Sequence, residues 1–341
     1  MSAFIPRPPL VISMGDPAGI GPEIVCQALQ RHPEWWPDVV VAGDAAHLRR
    51  ADACVGAQLP WQPVASPADA VGGAGPRLWQ ACDAWPLVQW GRVSREAGCM
   101  ALASIEASAR AVLRGHARAL VTAPVHKEAL SLAGCPHPGH TELLQALGAE
   151  HLGCDVADLP VRMMLSNPHL KTVLMSIHVS LRHALDSITA DGLRQTLAIV
   201  WRHFERLGRP SVRVAVAGVN PHAGEGGLFG REEIEVLQPV IAALAAEGRT
   251  VFGPFAPDTV FWRAMQGEFD LVVAMYHDQG LIPVKLFGLE EGVNTTLGLP
   301  MVRTSPDHGT AFDLAGTSKA DSASLVAAIR EAMAASATLT S

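Results

Sequence analysis

Short apolar runs alternate with longer stretches of helical periodicity along most of the chain, the signature of a largely parallel sheet flanked by helices. Leu10–Met14 reads as a first strand and Val39–Ala42 as a second. Between them, the Gly- and Pro-rich turn Gly15–Gly21 precedes Pro22, which opens a helix whose first turn carries Glu23, matched to the helix dipole. Ser94–Leu113 has the pattern of a long amphipathic helix and Ala119–Thr122 that of a buried strand. Gln58–Trp90, rich in Pro, Gly and Trp, reads as irregular cover for a sheet edge. Further strands are predicted at Val161–Leu165, Thr172–Ile177, Val212–Ala217, Leu271–Met275 and Val302–Thr304. The intervening helices are Ser187–Leu207, Glu232–Glu247 with a kink at Pro239, Asp258–Gln266 capped by Asp258, and Ser322–Ala335.

The chain has 341 residues, more than one core usually organises, so two α/β domains are expected. Hydrophobic residues make up 49% and charged residues 17%, enough for buried sheets and little for disorder. A net charge of -7 argues against nucleic acid as a partner, yet leaves room for a small acidic substrate held by a local cationic cluster. Met1–Leu10 lacks the apolar core of a signal peptide, and no apolar run reaches membrane-spanning length, so a cytoplasmic location with no membrane partner is expected. The six cysteines are scattered without a C-x-x-C pair and read as reduced thiols.

Three of the 14 histidines follow predicted strands: His178 after Thr172–Ile177, His222 in Asn220-Pro221-His222-Ala223-Gly224, and His277 in Tyr276-His277-Asp278-Gln279-Gly280. Ligands of open α/β sheets gather at the carboxyl ends of strands. Three imidazoles there suit a divalent metal with open positions, and nitrogen ligation favours Zn, Co, Ni or Mn over Mg or Ca. The competing readings are loop histidines bonded to backbone carbonyls, or a proton relay without metal. His140-Thr141-Glu142 after Pro138-Gly139 marks a helix start that also suits a phosphate or carboxylate, with His126 and Lys127 as a weaker version. Lys285, Asn294 and Arg303 are either solvent-facing polar residues or a cationic pocket. Gly224–Gly230 reads as a flexible loop whose glycines let the backbone approach the His222 site. G-x-G-x-x-G, P-loop and G-x-S-x-G motifs are absent.

The segment His308-Gly309-Thr310-Ala311-Phe312-Asp313-Leu314-Ala315-Gly316 resembles the adenosine-binding loop of the isocitrate and isopropylmalate dehydrogenase superfamily, and Gly15–Glu23 resembles its N-terminal turn. Within that superfamily the chain resembles the 4-hydroxythreonine-4-phosphate dehydrogenase family nearly end to end. The best stretches are Gly15–Glu23, Thr122–Lys127, Gly139–Glu142, Asn220–Gly227, Ala274–Gly280 and Gly292–Gly316. The resemblance implies a two-domain fold of mostly parallel sheets flanked by helices, with the active site in the interdomain cleft. The domains would be 1–135 with 305–341, carrying the NAD-binding elements, and 136–304, carrying the metal and substrate site and the dimer interface.

The same resemblance implies His178, His222 and His277 as metal ligands, and His140, Thr141, Lys285, Asn294 and Arg303 as substrate contacts. His308, Gly309, Thr310, Ala311, Asp313 and Leu314 would bind NAD or NADP, with one Zn, Co, Mn or Mg ion per site. Lys285 and Asp258 are the candidates for proton transfer. The implied reaction is NAD-dependent oxidation of 4-phosphohydroxy-L-threonine, followed by decarboxylation to 3-amino-2-oxopropyl phosphate, in pyridoxal phosphate synthesis. It would run in a homodimer whose metal site is shared between subunits. Thr122–Ala129 also looks like relatives acting on threonate or erythronate phosphates. The alternatives from another class are a metal- or anion-binding protein without oxidoreductase activity, and a metal-dependent phosphoester hydrolase using Asp278 or Glu225.

Overall fold

A computed structural model of the chain describes residues 7–70 and 74–337. In chain order the elements begin with β1 (Leu10–Ser13), α1 (Gly21–Arg31), β2 (Val39–Gly43), α2 (Ala45–Val55), β3 (Gln62–Val64), β4 (Arg77–Gln80), α3 (Arg95–Leu113), β5 (Ala119–Thr122), α4 (Lys127–Leu132) and α5 (His140–Leu152). They continue with β6 (Arg162–Ser166), β7 (Lys171–Leu174), α6 (Leu181–Asp186), α7 (Ala190–Arg206), β8 (Val214–Ala217), α8 (Gln238–Ala246), β9 (Val251–Phe255), α9 (Pro257–Met265), β10 (Leu271–Ala274), α10 (His277–Leu286) and β11 (Val293–Leu297). The last two are β12 (Arg303–Pro306) and α11 (Ala323–Ala337).

The chain divides into two compact units. The first runs through Pro160 and resumes at Leu299; the second is Val161–Gly298. The boundary expected at 135/136 thus falls at 160/161, and the return expected at 305 falls at 299. The reason is α5, which belongs to α3: Arg110 makes a forked pair with Glu150 at 3.0 and 2.9 Å, and Gly148 packs tightly on Pro300, where a Cβ would lie 3.0 Å from the proline ring.

In the first unit the strand order is β3-β4-β2-β1-β5-β12, parallel throughout. β1, β2 and β5 are buried along their whole length, as uninterrupted apolar strands covered on both faces must be. The predicted irregular segment Gln58–Trp90 contains two short strands: β3 forms the sheet edge, and β4 is paired on both sides, with β3 and β2. Its tail is anchored by the buried pair Asp44–His47. Asp44 caps α2 and bonds His47 Nδ1 at 2.6 Å, and the Val88 amide donates to His47 Nε2 at 3.1 Å.

In the second unit the order is β11-β6-β7-β10-β8-β9. β7, β10, β8 and β9 are parallel, whereas β6 is antiparallel to both of its neighbours, β11 and β7. The sides of β8 and β10 alternate strictly. Val214, Val216, Leu271 and Val273 pack with Leu197, Phe204, Leu237 and Leu244 on one face. Ala215, Ala217, Val272 and Ala274 pack with Val260, Phe261, Leu281 and Val284 on the other. Each fully buried Leu or Phe here contributes roughly 1.5–3 kcal/mol. The helix expected over 232–247 starts as a π-turn, Glu233–Leu237, and becomes α-helical from Gln238, which places Pro239 in a first turn where its missing N–H costs nothing. Asp258 is not the cap of α9: Ala256 holds that position, and Asp258 lies exposed in the first turn.

Burial lowers the pKa of His47 and drives that of His203 down to about 4. Unfolding lets both imidazoles take protons near the ordinary value of 6.5. The stability they leave intact above pH 6.5 is therefore lost as pH falls from 6.5 toward 4. For half-buried His203 the loss is about 2 kcal/mol after solvent screening. Thermal denaturation of His203→Gln should show a smaller drop in Tm between pH 7 and pH 4.5 than the parent; an equal drop would contradict this assignment.

Candidate functional site

In the first unit, polar side chains gather where β1 and β5 end and around β12. Gly15, at φ +75°, turns the chain out of β1, and a side chain there would strike the Pro124 carbonyl. The turn buries Asp16 completely. Its amide donates to the Pro124 carbonyl at 2.9 Å, and its Oδ1 accepts the Ala18 amide at 2.9 Å. Oδ2 is buried with no partner. Burial raises the Asp16 pKa to about 6, against the opposing pull of the Ala18 hydrogen bond and the His126 charge. His126 follows β5, stacks on Phe312 at 4.9 Å and also leaves its Nδ1 buried without a partner. Ser13 Oγ, His140 Nε2 and His308 Nε2 are in the same condition. Buried polar atoms normally find partners, so a cluster of unpartnered ones points to a ligand that supplies them.

Arg303 is 3% exposed and directs Nε and Nη2 to Thr122 Oγ1 at 3.2 and 2.7 Å, so it is not a solvent-facing residue. Burial holds its pKa near 10, still charged at neutral pH. His140 opens α5, whose N-terminus has no side-chain cap, and Thr141 follows it. Burial, then the nearby Arg303 charge, keeps His140 neutral by pushing its pKa well below the usual range. Helix N–H groups without a side-chain cap, a neutral imidazole and a buried guanidinium are the chemistry that an anion requires.

The two loops singled out by resemblance pack on each other in this unit. Ile20 N donates to the Thr310 carbonyl at 3.0 Å, and Gly19 abuts Thr310 too closely for a Cβ. Buried Glu23 accepts the Gly316 and Ser318 amides at 2.5 and 3.0 Å, fixing the end of the 308–316 loop. Gly309 and Asp313 are exposed, and Ala311 takes φ +39°, held by a turn in which Leu314 N bonds the Ala311 carbonyl. His308 supplies the free polar atom of this loop; the loop's open backbone suits an adenosine moiety.

In the second unit, β7 and β10 are parallel neighbours that end at the same level. This brings His178 and His277 together, with ring centres 5.7 Å apart. Both line an open cavity of about 250 Å³ with Ile177, Leu181 and Tyr276. Asp278 Oδ1 lies 2.7 Å from His277 Nδ1, an arrangement that orients the ring and turns Nε2 away from the carboxylate. His222 is exposed on its own loop. From His222 to Gly226 five successive residues have positive φ, a left-handed turn that costs roughly 1–2 kcal/mol for each non-glycine residue, here His222, Ala223 and Glu225. Such strain concentrates at functional sites. Among the described residues, no group of three or more His, Cys, Asp or Glu side chains able to hold a metal is assembled.

One positioning residue has no sequence signal beyond its motif. Buried Gln279 accepts the Met275 amide and donates to the Gly218 carbonyl, both at 2.7 Å, so it ties the His277 strand end to the root of the His222 loop. Lys285 is exposed in the last turn of α10, and Asn294 is half-buried on β11 opposite Leu165. The five predicted substrate residues thus divide, with His140, Thr141 and Arg303 in the first unit and Lys285 and Asn294 in the second.

A family model described as pyridoxal phosphate biosynthetic protein PdxA matches residues 35–332. A 4-hydroxythreonine-4-phosphate dehydrogenase from Beijerinckia indica is 46% identical over 322 residues, covering 93% of this chain and 92% of the relative. A D-threonate 4-phosphate dehydrogenase from Salmonella typhimurium is 44% identical over 330 residues, covering 95% and 98%. The crystal structure of 4-hydroxythreonine-4-phosphate dehydrogenase from Klebsiella pneumoniae matches with a TM-score of 0.84 at 41% identity, covering 98% of this chain and 99% of that one.

Proposed function

Because the chain belongs to the PdxA family of pyridoxal phosphate biosynthetic proteins, we propose that it oxidises a secondary hydroxyl of 4-phosphohydroxy-L-threonine with NAD or NADP. The family is one of dehydrogenases, so the reaction class is oxidoreduction. The observation that carries the substrate reading is the anion site of the first unit: buried Arg303, neutral His140 and the uncapped start of α5. Together they fit a phosphate, Arg303 as a fixed charge and the helix N–H groups as donors.

His178, His222 and His277 would form the donor set for a divalent ion. The paired rings of His178 and His277 fit that role, and so does the carboxylate behind His277. When bound, such an ion supplies Lewis acidity to a hydroxyl and to the carbonyl it becomes, and the nicotinamide cofactor supplies the hydride acceptor. The chain's own part is to orient and to move protons. Asp278 holds the His277 ring. Lys285 assists the transfer of the hydroxyl proton. Asn294 and Thr141 fix the substrate's polar groups, and the 308–316 loop, pinned by Glu23, receives the adenosine end of the cofactor. Asp258, exposed in the first turn of α9, is the second candidate for proton transfer.

All three histidine loops carry exposed apolar neighbours: Val179 and Leu181 beside His178, Leu228 and Phe229 beyond His222, Ile282 and Leu286 beyond His277. Exposed apolar side chains of this kind suit contact with a partner surface. A second copy of the chain would cover it and complete the ligand set, so the working form is a homodimer.

The similarity to a D-threonate 4-phosphate dehydrogenase, at nearly the same identity, favours a second reading. The two substrates share the phosphate and the reacting hydroxyl and differ in an amino or hydroxyl group. Formation of NADH, followed by absorbance with both compounds before and after chelation, decides the matter. Turnover of one phosphorylated acid, abolished by chelator and restored by Zn or Co, is expected. Turnover that survives complete metal removal would overturn the three-histidine reading, and phosphate release without NAD would indicate a hydrolase.

A further inference from the structure

The left-handed turn around His222 runs against the preference of three of its residues, so something outside it must hold it. The neighbour is Glu233, fully buried at the start of the π-turn. Its Oε1 accepts the amides of Val219 and Asn220 at 2.7 and 2.8 Å, and its Oε2 accepts Asn220 Nδ2 at 3.0 Å. The same Asn220 nitrogen donates to Glu232 Oε2 at 2.6 Å. Consecutive residues of an α-helix point about 100° apart; the helix opens into a π-turn where two consecutive carboxylates reach one asparagine, and such turns recur at functional sites. The glycines of the loop make the clamp possible. A Cβ on Gly224 would lie 2.8 Å from Glu233 Oε2, one on Gly218 3.1 Å from Glu233 Oε1, and one on Gly230 would collide with the Asn220 side chain. Inside the turn, the Ala223 amide bonds the Asn220 carbonyl and the Phe229 amide the Gly224 carbonyl, so a pinned Asn220 carries the rest of the turn with it.

We propose that Glu233 is a positioning residue for metal binding: by clamping Asn220 it holds the left-handed turn and fixes the direction in which His222 presents its imidazole. The inference rests on the reading of His222 as a ligand. Its test is titration of the metal-free full-length protein with Co²⁺, followed by calorimetry and by the visible spectrum of the bound ion. Glu233→Ala should bind Co²⁺ about 10–100-fold more weakly, as loss of an outer partner of a metal ligand does. Glu233→Gln, which keeps an acceptor for the two amides, should stay within about threefold of the parent. NAD affinity should not move in either variant. Parent-like Co²⁺ affinity in folded Glu233→Ala, with affinity lost in His222→Ala, would overturn the role of Glu233 alone. Parent-like affinity in His222→Ala would overturn the ligand reading and this inference with it. If Glu233→Ala does not fold, Asn220→Ala, which leaves the backbone bonds to Glu233 in place, replaces it: about tenfold weaker binding supports the clamp, and unchanged binding refutes it.

Discussion

Replacing His277 by alanine lowers kcat/KM for the phosphorylated substrate by about 10³-fold, the equivalent of several kcal/mol of lost charge stabilisation in the transition state. The imidazole is only half-buried and stands at the end of a strand whose own residues are fully buried, so its removal leaves the core untouched. Thermal stability and the KM for NAD therefore stay at parent values, and the loss falls on turnover and metal affinity. Asp278→Asn, which keeps the size but weakens the contact to His277 Nδ1, gives an intermediate loss of about 10–100-fold. Steady-state NADH formation at saturating metal separates the two. Parent-like turnover in His277→Ala would remove the histidine trio from the chemistry.

Asp16→Asn acts in opposite directions on stability and activity. The folded-state pKa of Asp16, about 6, lies above the ordinary 3.8. The folded chain thus holds a proton that the unfolded chain releases between these values; the stability this contributes is full below pH 3.8 and lost as pH rises through 6. At pH 8 the completely buried carboxylate is charged, with one oxygen unpartnered, at a cost of about 2–3 kcal/mol. Asparagine keeps the acceptor for the Ala18 amide and carries no charge. Calorimetry should show a Tm several degrees higher than the parent at pH 8, with the difference shrinking toward pH 4. Activity should fall by about 10² or more, because a group kept at such a cost serves a ligand or a proton transfer. A stabilised Asp16→Asn with full activity would reduce Asp16 to a turn residue.

What could be read from the chain depended on whether the cause was local. The strands Ala119–Thr122 and Leu271–Ala274 declare themselves because burial on both faces demands uninterrupted apolar residues. β11, Val-Asn-Thr-Thr-Leu, carries no such run; it is a strand because antiparallel β6 lies beside it. β3 and β4 are short and carry no apolar run; they join the sheet through the pairing of β4 with β2 and of β3 with β4. Strand-end placement made His178 and His277 legible, and their meeting follows from the β7–β10 pairing. The turn carrying His222 was not legible: its glycines signal freedom, whereas its left-handed course is imposed by Glu233, eleven residues further on. Arg303 looked equally suited to solvent or pocket, and only its burial beside Thr122 decides. Asp16 carried a signal that went unused, an acid directly after a buried strand inside a Gly- and Pro-rich turn.

The first unit is interrupted in sequence, and this orders events during synthesis. Val161–Gly298 is contiguous, so all of its strands exist before β12 has been made. The first unit must wait: the edge of β5 stays open until Arg303 and Thr304 arrive opposite Leu120 and Val121, and β12 is then secured by α11 through the bond from Thr304 Oγ1 to the Ala328 carbonyl. A chain truncated before residue 303 would leave β5 with a bare apolar edge, a template for aggregation. The buried Arg303–Thr122 pair is thus assembled among the last parts of the molecule, so the phosphate contact proposed for Arg303 would report on the integrity of the whole chain.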